Sequence, residues 1–435
     1  MDDKVKGNST LAYRGYEREL SAEPDHYLTK VGRGTPGGEY LRRFWQPVAF
    51  ESELKDTPFP IRVMGEDLVA FRDGSGRIGV LHRHCAHRRT SLEYGIILER
   101  GIRCCYHGWI YDIDGTIVNI PGDPVAAERM RSRVSQGAYP VHLLGGLIFI
   151  YMGPPDKRPP IPNFERFNVP GIKLEPGGPR LPFPCNWIQI KENAMDPAHT
   201  AVLHAIPQMR GMDHFAGEFG EFPEFVFSET STGMMYLAAR KLDNKVWVRS
   251  TDYVAPNIHS ISSIFESGRK PKAYNPPFRT IWTTPRDDDF SFNFTISHVA
   301  EDDQTLPSKR RYLEIFGQTD ERPYRERQII PGDYDAMVSE GPVEIHALEH
   351  LGSHDTGVSM FRRILRRNIE QVERGEDPTP FPSPIPTYCS DRVVEASSVG
   401  GNPDDPAVLK EYARRTGEEY LTQRPLHSLR IGEPS

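Results

Sequence analysis

The 435-residue chain is 37% hydrophobic and 26% charged, a balance that suits a globular protein with room for two cores and excludes large-scale disorder. Its formal charge of -7 provides no basic field for nucleic acid, which leaves small molecules and other proteins as partners. Five cysteines in so long a chain do not make a disulfide framework, and clustered cysteines in a reducing compartment are more often ligands or nucleophiles.

The amino terminus, MDDKVKGNSTLAYRG, opens with acids and lacks the apolar stretch of a signal peptide, so a cytoplasmic protein is expected. Residues 1–44 read as a polar lead-in closing on a short amphipathic helix around GGEYLRRFW. From residue 60 the pattern changes to short β-prone runs with turn signals: IRVMGEDLVAFRD, GSGRIGVLHRHC and GIRCCYHGWIYDIDG. A small all-β domain over 45–155 is expected. LLGGLIFIYMG, at 143–153, is too short to span a bilayer and reads as a buried strand. PPDKRPPIPNF, at 154–164, is too proline-dense for sheet or helix and marks a boundary.

Residues 156–435 read as a second, larger domain. ENAMDPAHTAVLHA is expected to be helical, with Pro197 starting or bending the helix. The runs GMMYLAARKL, KVWVRSTDYV, SISSIFES, FRTIWTT and FSFNFTISHVAE have the spacing of a meandering antiparallel sheet. GVSMFRRILRRNIEQVERGED places Met360, Ile364, Leu365, Ile369 and Val372 at near-helical intervals. The predicted class is α+β, a small all-β domain followed by a larger domain of antiparallel sheet with packed helices.

Chemistry concentrates in two places. Cys85 and His87 form one mixed pair, Cys104 and His107 another, with sixteen residues between them. Each pair sits where a strand runs into a turn, so two hairpin tips can gather two sulfurs and two imidazoles. Zinc accepts such a set tetrahedrally, although zinc motifs usually pair like with like. A Rieske 2Fe-2S cluster takes the thiolates on one iron and the imidazoles on the other, which two facing mixed arms deliver. A bland hairpin with buried cysteines is the third reading.

The second place is NWIQIKENAMDPAHTAVLHA, carrying Glu192, Asp196, His199 and His204. Asp196 and His199 share a helical face, whereas His199 and His204, five apart, diverge by about 140° on an ideal helix. Convergence needs a π-type bulge near Pro197 or beyond it, or a turn that opens. Two imidazoles and one carboxylate would form the facial triad of non-haem iron(II) oxygenases. Asp196 suits a carboxylate that accepts the free N–H of His199 and fixes its tautomer.

CAHRRTSL, the sixteen-residue interval and CCYHGW resemble the CxH...CxxHGW cluster signature of Rieske-type oxygenases, with Gly108 and Trp109 also in place. ENxxDxxHxxxxH resembles the mononuclear-iron motif of the same enzymes, so the likeness covers both domains. It implies one Rieske 2Fe-2S cluster at Cys85, His87, Cys104 and His107 and one mononuclear Fe(II) at His199 and His204. The branch is phthalate-dioxygenase-like and includes O-demethylases of lignin-derived biaryls such as dehydrodivanillate.

In that branch the third iron ligand precedes a serine, a glycine and an EHLG stretch. GDYDAMVSEGPVEIHALEHLGSHD resembles this segment and makes Asp333 the ligand, with Asp335 next and Glu344 a distant third. The family usually has Gln or Arg where this chain has Gly332. Cys105 stands where the family usually has proline and reads as a free, buried thiol. His82 and His84 lie outside the signature and read as strand-edge or surface residues.

The resemblance further implies a homotrimer or stacked trimers, in which Asp196 links His199 to a neighbouring subunit's cluster histidine, His107. It implies a separate NAD(P)H-dependent reductase or ferredoxin, and the chain has no GxGxxG opening a βαβ unit to bind nicotinamide itself. Arg83, Arg88 and Arg89 flank the first arm, and Arg362, Arg363, Arg366 and Arg367 line one helix. Either group suits an acidic partner, but the helical row, with Arg366 and Glu370 at helical spacing, reads better as a solvated face. The expected activity is O2-dependent hydroxylation or O-demethylation of an aromatic acid, with ring cis-dihydroxylation as an alternative. A reading of another class is a non-catalytic zinc-binding scaffold.

Overall fold

The computed structural model describes residues 15–18, 21–210, 217–262, 277–300, 316–378 and 381–423. Two short helices, α1 (His26–Thr29) and α2 (Pro36–Leu41), lead into the first sheet region. The side chain of Thr35 caps α2 by accepting from Gly38 N, and Pro36 occupies the first turn, where a missing N–H costs nothing.

The first region contains β1 (Trp45–Phe50), β2 (Phe59–Val63), β3 (Glu66–Arg72), β4 (Ile78–His82), β5 (Ile96–Ile97), β6 (Ile102–Arg103), β7 (Ile110–Tyr111) and β8 (Ile117–Asn119). After helix α3 (Pro124–Arg131) come β9 (Ala138–Tyr139), β10 (Val141–Leu144) and β11 (Leu147–Tyr151). They form three antiparallel sheets, ordered β1-β11-β10, β2-β3-β4-β9 and β5-β6-β7-β8. Met64 and Gly65, both with positive φ, make the two-residue turn that lets Val63 pair with Glu66. β11 is buried along its whole length, as its unbroken apolar run requires.

The second region holds β12 (Ile172–Pro176), β13 (Leu181–Phe183), β14 (Glu224–Glu229), β15 (Gly233–Leu242), β16 (Lys245–Val254), β17 (Ile258–Ser262), β18 (Pro277–Asp287), β19 (Phe290–Ala300) and β20 (Ser390–Glu395). Their order is β12-β19-β18-β17-β16-β15-β14, with β13 also on β19 and β20 on β16. Strands β14 to β19 are the expected antiparallel meander; SISSIFES is described only as far as Ser262.

The helices here are α4 (Trp187–Ala194), α5 (His199–Val202), α6 (Ile206–Met209), α7 (Tyr324–Ile329), α8 (Asp333–Ser339), α9 (Thr356–Glu373) and α10 (Pro406–Thr422). β15 shows how they clasp the sheet. Its Met234, Tyr236 and Ala238 share a core with Phe361 and Leu365 of α9, whereas Met235, Leu237 and Ala239 share another with Leu409 and Ala413 of α10. Alternate residues thus serve opposite faces, and the apolar run from Met234 to Ala239 is buried throughout. Each fully buried Leu or Ile contributes about 1.5–3 kcal/mol relative to exposure. A further core joins the two regions, with Leu147 and Phe149 of β11 packed with Trp282 and Phe294.

Two expectations need correction. The histidine segment is not one helix: α4 ends at Ala194, the chain bends at Pro197 and Ala198, and α5 begins at His199. Pro197 cannot donate the N–H that would continue α4. The arginine row on α9 is not simply a solvated face either. Arg362 is half-buried and clamps Glu192 at 2.5 and 2.7 Å and Glu349 at 2.5 and 2.7 Å. Arg366 pairs with Asp25, and Arg367 with Glu229.

Candidate active site

The two cysteine-histidine arms are built alike. Cys85 N donates to Thr90 O and Arg89 N returns to Cys85 O; Cys104 N donates to Trp109 O and Gly108 N returns to Cys104 O. Both loops close through a residue in the left-handed region, Arg89 at φ 66° and Gly108 at φ 73°. Arg89 pays about 1 kcal/mol for that conformation. At Gly108 a Cβ would also meet Pro121 Cγ at 2.9 Å, so glycine is required there.

This shared turn sends unlike side chains to opposite sides. Cys85 and Cys104 are buried within a core that includes Leu92, Ile102 and Tyr111, and burial pushes the Cys85 thiol up in pKa. Tyr111 Oη stands 3.0 Å from Cys85 Sγ. His87 and His107 are exposed, with ring centroids 4.7 Å apart, and His87 stacks on Trp109 at 4.7 Å with the planes 4° apart. The arms present a buried thiol pair and a separate, exposed imidazole pair, which suits two irons better than one zinc.

Cys105 is free, as expected, but exposed rather than buried. With Cys104 turned inward, the next residues of the turn point out. His82 and His84 are half-buried; His82 meets Tyr139 and Glu66, and His84 Nδ1 meets Arg89 O at 2.9 Å.

The second constellation also assembles. His199 opens α5 and His204 lies in the turn before α6, so an opened turn, and no π-bulge, brings them together. Their ring centroids are 5.1 Å apart. Asp333, the first residue of α8, arrives from 129 residues beyond His204, with Oδ1 3.1 Å from His204 Nε2 and 3.5 Å from His199 Nε2. Gln318 Nε2 donates to its Oδ2 at 2.6 Å, and Asn193 Nδ2 approaches Oδ1 at 3.4 Å. Burial alone would raise the Asp333 pKa, but His204, His199 and Gln318 together hold it well below the usual carboxylate range. Two imidazoles and one carboxylate on one side of a shared point fit an iron(II) facial triad.

The competing acids face elsewhere. Asp335 accepts from Arg327 at 2.8 Å and from Gly332 N at 2.9 Å, capping α8. Glu344 belongs to a separate cluster with Glu192, His346 and Glu349. Gly332 has a steric cause: a Cβ there would come within 2.3 Å of Gly317 Cα. The carboxamide that reaches Asp333 comes instead from Gln318, which nothing in the sequence singles out.

Asp196 spans the α4–α5 break. Its Oδ1 accepts from Ala198 N at 2.7 Å and its Oδ2 from His199 N at 3.3 Å. Its Oδ2 is 3.5 Å from His199 Nδ1, close enough to attract but without a formed hydrogen bond, and Nδ1 has no other partner. Burial disfavours a charged His199 ring, yet the Asp196 and Asp333 carboxylates raise its pKa above the ordinary value.

Residues 44–129 match the Rieske [2Fe-2S] domain family. The chain is 39% identical to the tert-butanol monooxygenase / tert-amyl alcohol desaturase oxygenase subunit of Aquincola tertiaricarbonis, across 96% of this chain and 95% of that one. This chain belongs to the Rieske non-haem iron oxygenases. The oxygenase is also 32% identical to the 5,5'-dehydrodivanillate O-demethylase oxygenase subunit of Sphingobium sp., across 95% of this chain and 98% of that one. Its fold aligns with NdmB of Pseudomonas putida CBB5 at a TM-score of 0.61 and 20% identity, covering 82% of this chain and 97% of that one. A Rieske oxygenase carries a 2Fe-2S cluster and a mononuclear iron, and the zinc-scaffold reading falls. No described helix of this oxygenase is long and apolar enough to cross a membrane.

Proposed function

We propose that this oxygenase holds its cluster through Cys85, His87, Cys104 and His107, and its iron through His199, His204 and Asp333, to hydroxylate or O-demethylate an aromatic acid. The observation that carries the reading is the meeting of His204 and Asp333 at 3.1 Å beside His199. When bound, the cluster supplies electrons and the iron activates dioxygen. The chain's own residues define the surroundings. Gln318 and Asn193 orient the Asp333 carboxylate, and the broken α4–α5 segment turns both imidazoles toward it. Phe219, 5.6 Å from the His204 ring, walls the site on the sheet side.

The cluster domain covers 45–155 and the catalytic domain 156–435. The enzyme is a cytoplasmic homotrimer or stack of trimers, served by a separate NAD(P)H-dependent reductase or ferredoxin. In the trimer Asp196 bridges His199 to the partner subunit's His107. The exposure of His107 and the unfilled hydrogen-bonding direction of His199 Nδ1 support this bridge.

The O-demethylase relative supports an aromatic acid, with cis-dihydroxylation a further outcome. The Aquincola tertiaricarbonis relative favours a second reading, a small tertiary alcohol. Purified protein should be brown, with about three irons and about two acid-labile sulfides per chain; colourless protein holding only zinc would overturn the proposal. Substrate-dependent oxygen uptake with a generic reductase, comparing arene carboxylic acids with tert-butanol, separates the two substrate readings.

A further inference from the structure

Two buried arginines lie behind the proposed iron site, and neither makes an ion pair among the described residues. Arg240, on β15, is 1% exposed and Arg249, on β16, is 7% exposed. Both guanidinium carbons stand over the Phe219 ring at 5.2 Å, and Arg240 also stands over Trp247 at 5.4 Å. Phe219 in turn packs against His204, so the pair lies one aromatic ring from a proposed iron ligand.

Their polar contacts are incomplete. Arg240 donates from Nε to Glu221 O at 2.9 Å and from Nη2 to Thr200 Oγ1 at 2.8 Å, while its Nη1 is buried without a partner. Arg249 Nε is likewise buried without a partner. Neither arginine forms an ion pair with a described residue. Asp391 lies opposite Arg249 in the ladder with β20, and on the other side the neighbour is Ala238, whose short side chain does not reach past Cβ.

A buried charge without a counter-charge costs several kcal/mol, and two of one sign sharing a ring compound the cost. Burial, reinforced by the charge of Arg249, pulls Arg240 down to about 9. Elsewhere the fold pairs its buried arginines with acids, Arg42 with Glu66 at 3.0 Å and Arg166 with Asp252 at 3.5 Å. An anion that arrives with the substrate resolves the discrepancy. Guanidinium is suited to carboxylate because its planar fork matches the two oxygens.

We infer that Arg240 and Arg249 form the carboxylate-binding end of the substrate pocket, with Phe219 and Trp247 as aromatic walls, and that Arg249 sets the preference for an arene carboxylic acid over an uncharged substrate. The inference rests on the oxygenase reading and deepens it by assigning the substrate's charged group. Arg249 is the better probe, because Arg240 also holds Thr200 beside His199.

The test is calorimetric binding to reduced, anaerobic holoenzyme. The probes are benzoate, phthalate, vanillate, 3-phenoxybenzoate and a biaryl dicarboxylate, each compared with its carboxamide, with tert-butanol as an uncharged control. In the unmodified enzyme at least one acid should bind on the order of 100-fold more tightly than its amide. In Arg249→Gln that ratio should collapse toward unity, and Arg249→Lys should restore part of it. The acid-to-amide ratio of the unmodified enzyme tests the inference even if the glutamine variant fails to fold. A preserved ratio in Arg249→Gln, no acid bound, or equal binding of acids and amides overturns it. The oxygenase reading is scored separately, by cluster absorption, iron content and oxygen uptake with any substrate, including the uncharged control.

Discussion

His204 Nε2 and Asp333 Oδ1 stand 3.1 Å apart although 129 residues separate them in the chain. No local element spans that interval. The contact exists because α8 starts at Asp333 just where the turn after α5 delivers His204, and Gln318 and Asn193 hold the carboxylate there.

Asp333→Ala should empty the mononuclear site and leave the cluster in place. Metal analysis should fall from about three irons to about two per chain with sulfide unchanged, and turnover should drop at least about 100-fold. Asp335→Asn should keep all the iron and lose about 1 kcal/mol of stability, through its cap and its pair with Arg327. Iron loss in the Asp335 variant instead would reverse the ligand assignment.

Asp196→Asn retains an acceptor for the Ala198 N–H, so the α4–α5 break should survive. The cluster should remain reducible and iron should remain bound, while oxygen uptake stops. Undiminished turnover would refute the bridging role.

Cys105 should be the fast-reacting thiol of the native enzyme. It is exposed, whereas Cys185 is buried with its pKa pushed up to about 12, and burial also raises the Cys389 thiol well above its ordinary value. Titration with an aromatic disulfide should show a rapid phase that disappears in Cys105→Ser, with the cluster spectrum unaltered. Bleaching of the cluster in that variant would count against this assignment.

His298 sets an acid limit on stability. Burial first, and the charge of Arg166 second, push it down to about 3, and its Nε2 meets Thr280 Oγ1 at 3.0 Å. Below the unfolded value of about 6.5 the unfolded chain takes up a proton that the folded chain refuses. Stability from this group is therefore complete above about pH 6.5 and falls as pH drops, by up to about 1.4 kcal/mol per unit, until about pH 3. Denaturation of His298→Gln between about pH 4.5 and 7 should show a shallower dependence than the unmodified enzyme; identical slopes would disprove it.

Arg362→Met should cost about 3–5 kcal/mol, because it leaves buried Glu192 and half-buried Glu349 without their cation. Even with Arg362 present, burial holds Glu192 up at about 7. Thermal denaturation should show the loss, and Arg362→Lys should recover little of it, lacking the fork that grips both acids.

Much of this was legible locally. The arms Cys85–His87 and Cys104–His107 lie within one short stretch, and turn chemistry closes each. The α9 stripe and the alternating strands follow from periodicity, because burial imposes 3.6- and 2-residue repeats on the sequence that pays for them in apolar surface. Cys105 faces solvent against expectation because composition does not say which way a turn residue points, and the Arg362 clamp is hidden because helical spacing shows a face without showing what packs on it.

The sequence by itself determined the donor types, their pairing in two arms, and the sheet-plus-helix class, since these depend on residues close in the chain. Tertiary structure alone decided that Asp333 and not Asp335 meets the histidines, that Gln318 supplies the carboxamide Gly332 has no room for, and that Arg240 and Arg249 share Phe219. Each of those is a contact between distant segments, fixed by how α8 and strands β15 and β16 pack in three dimensions, and chain spacing carries no record of that packing.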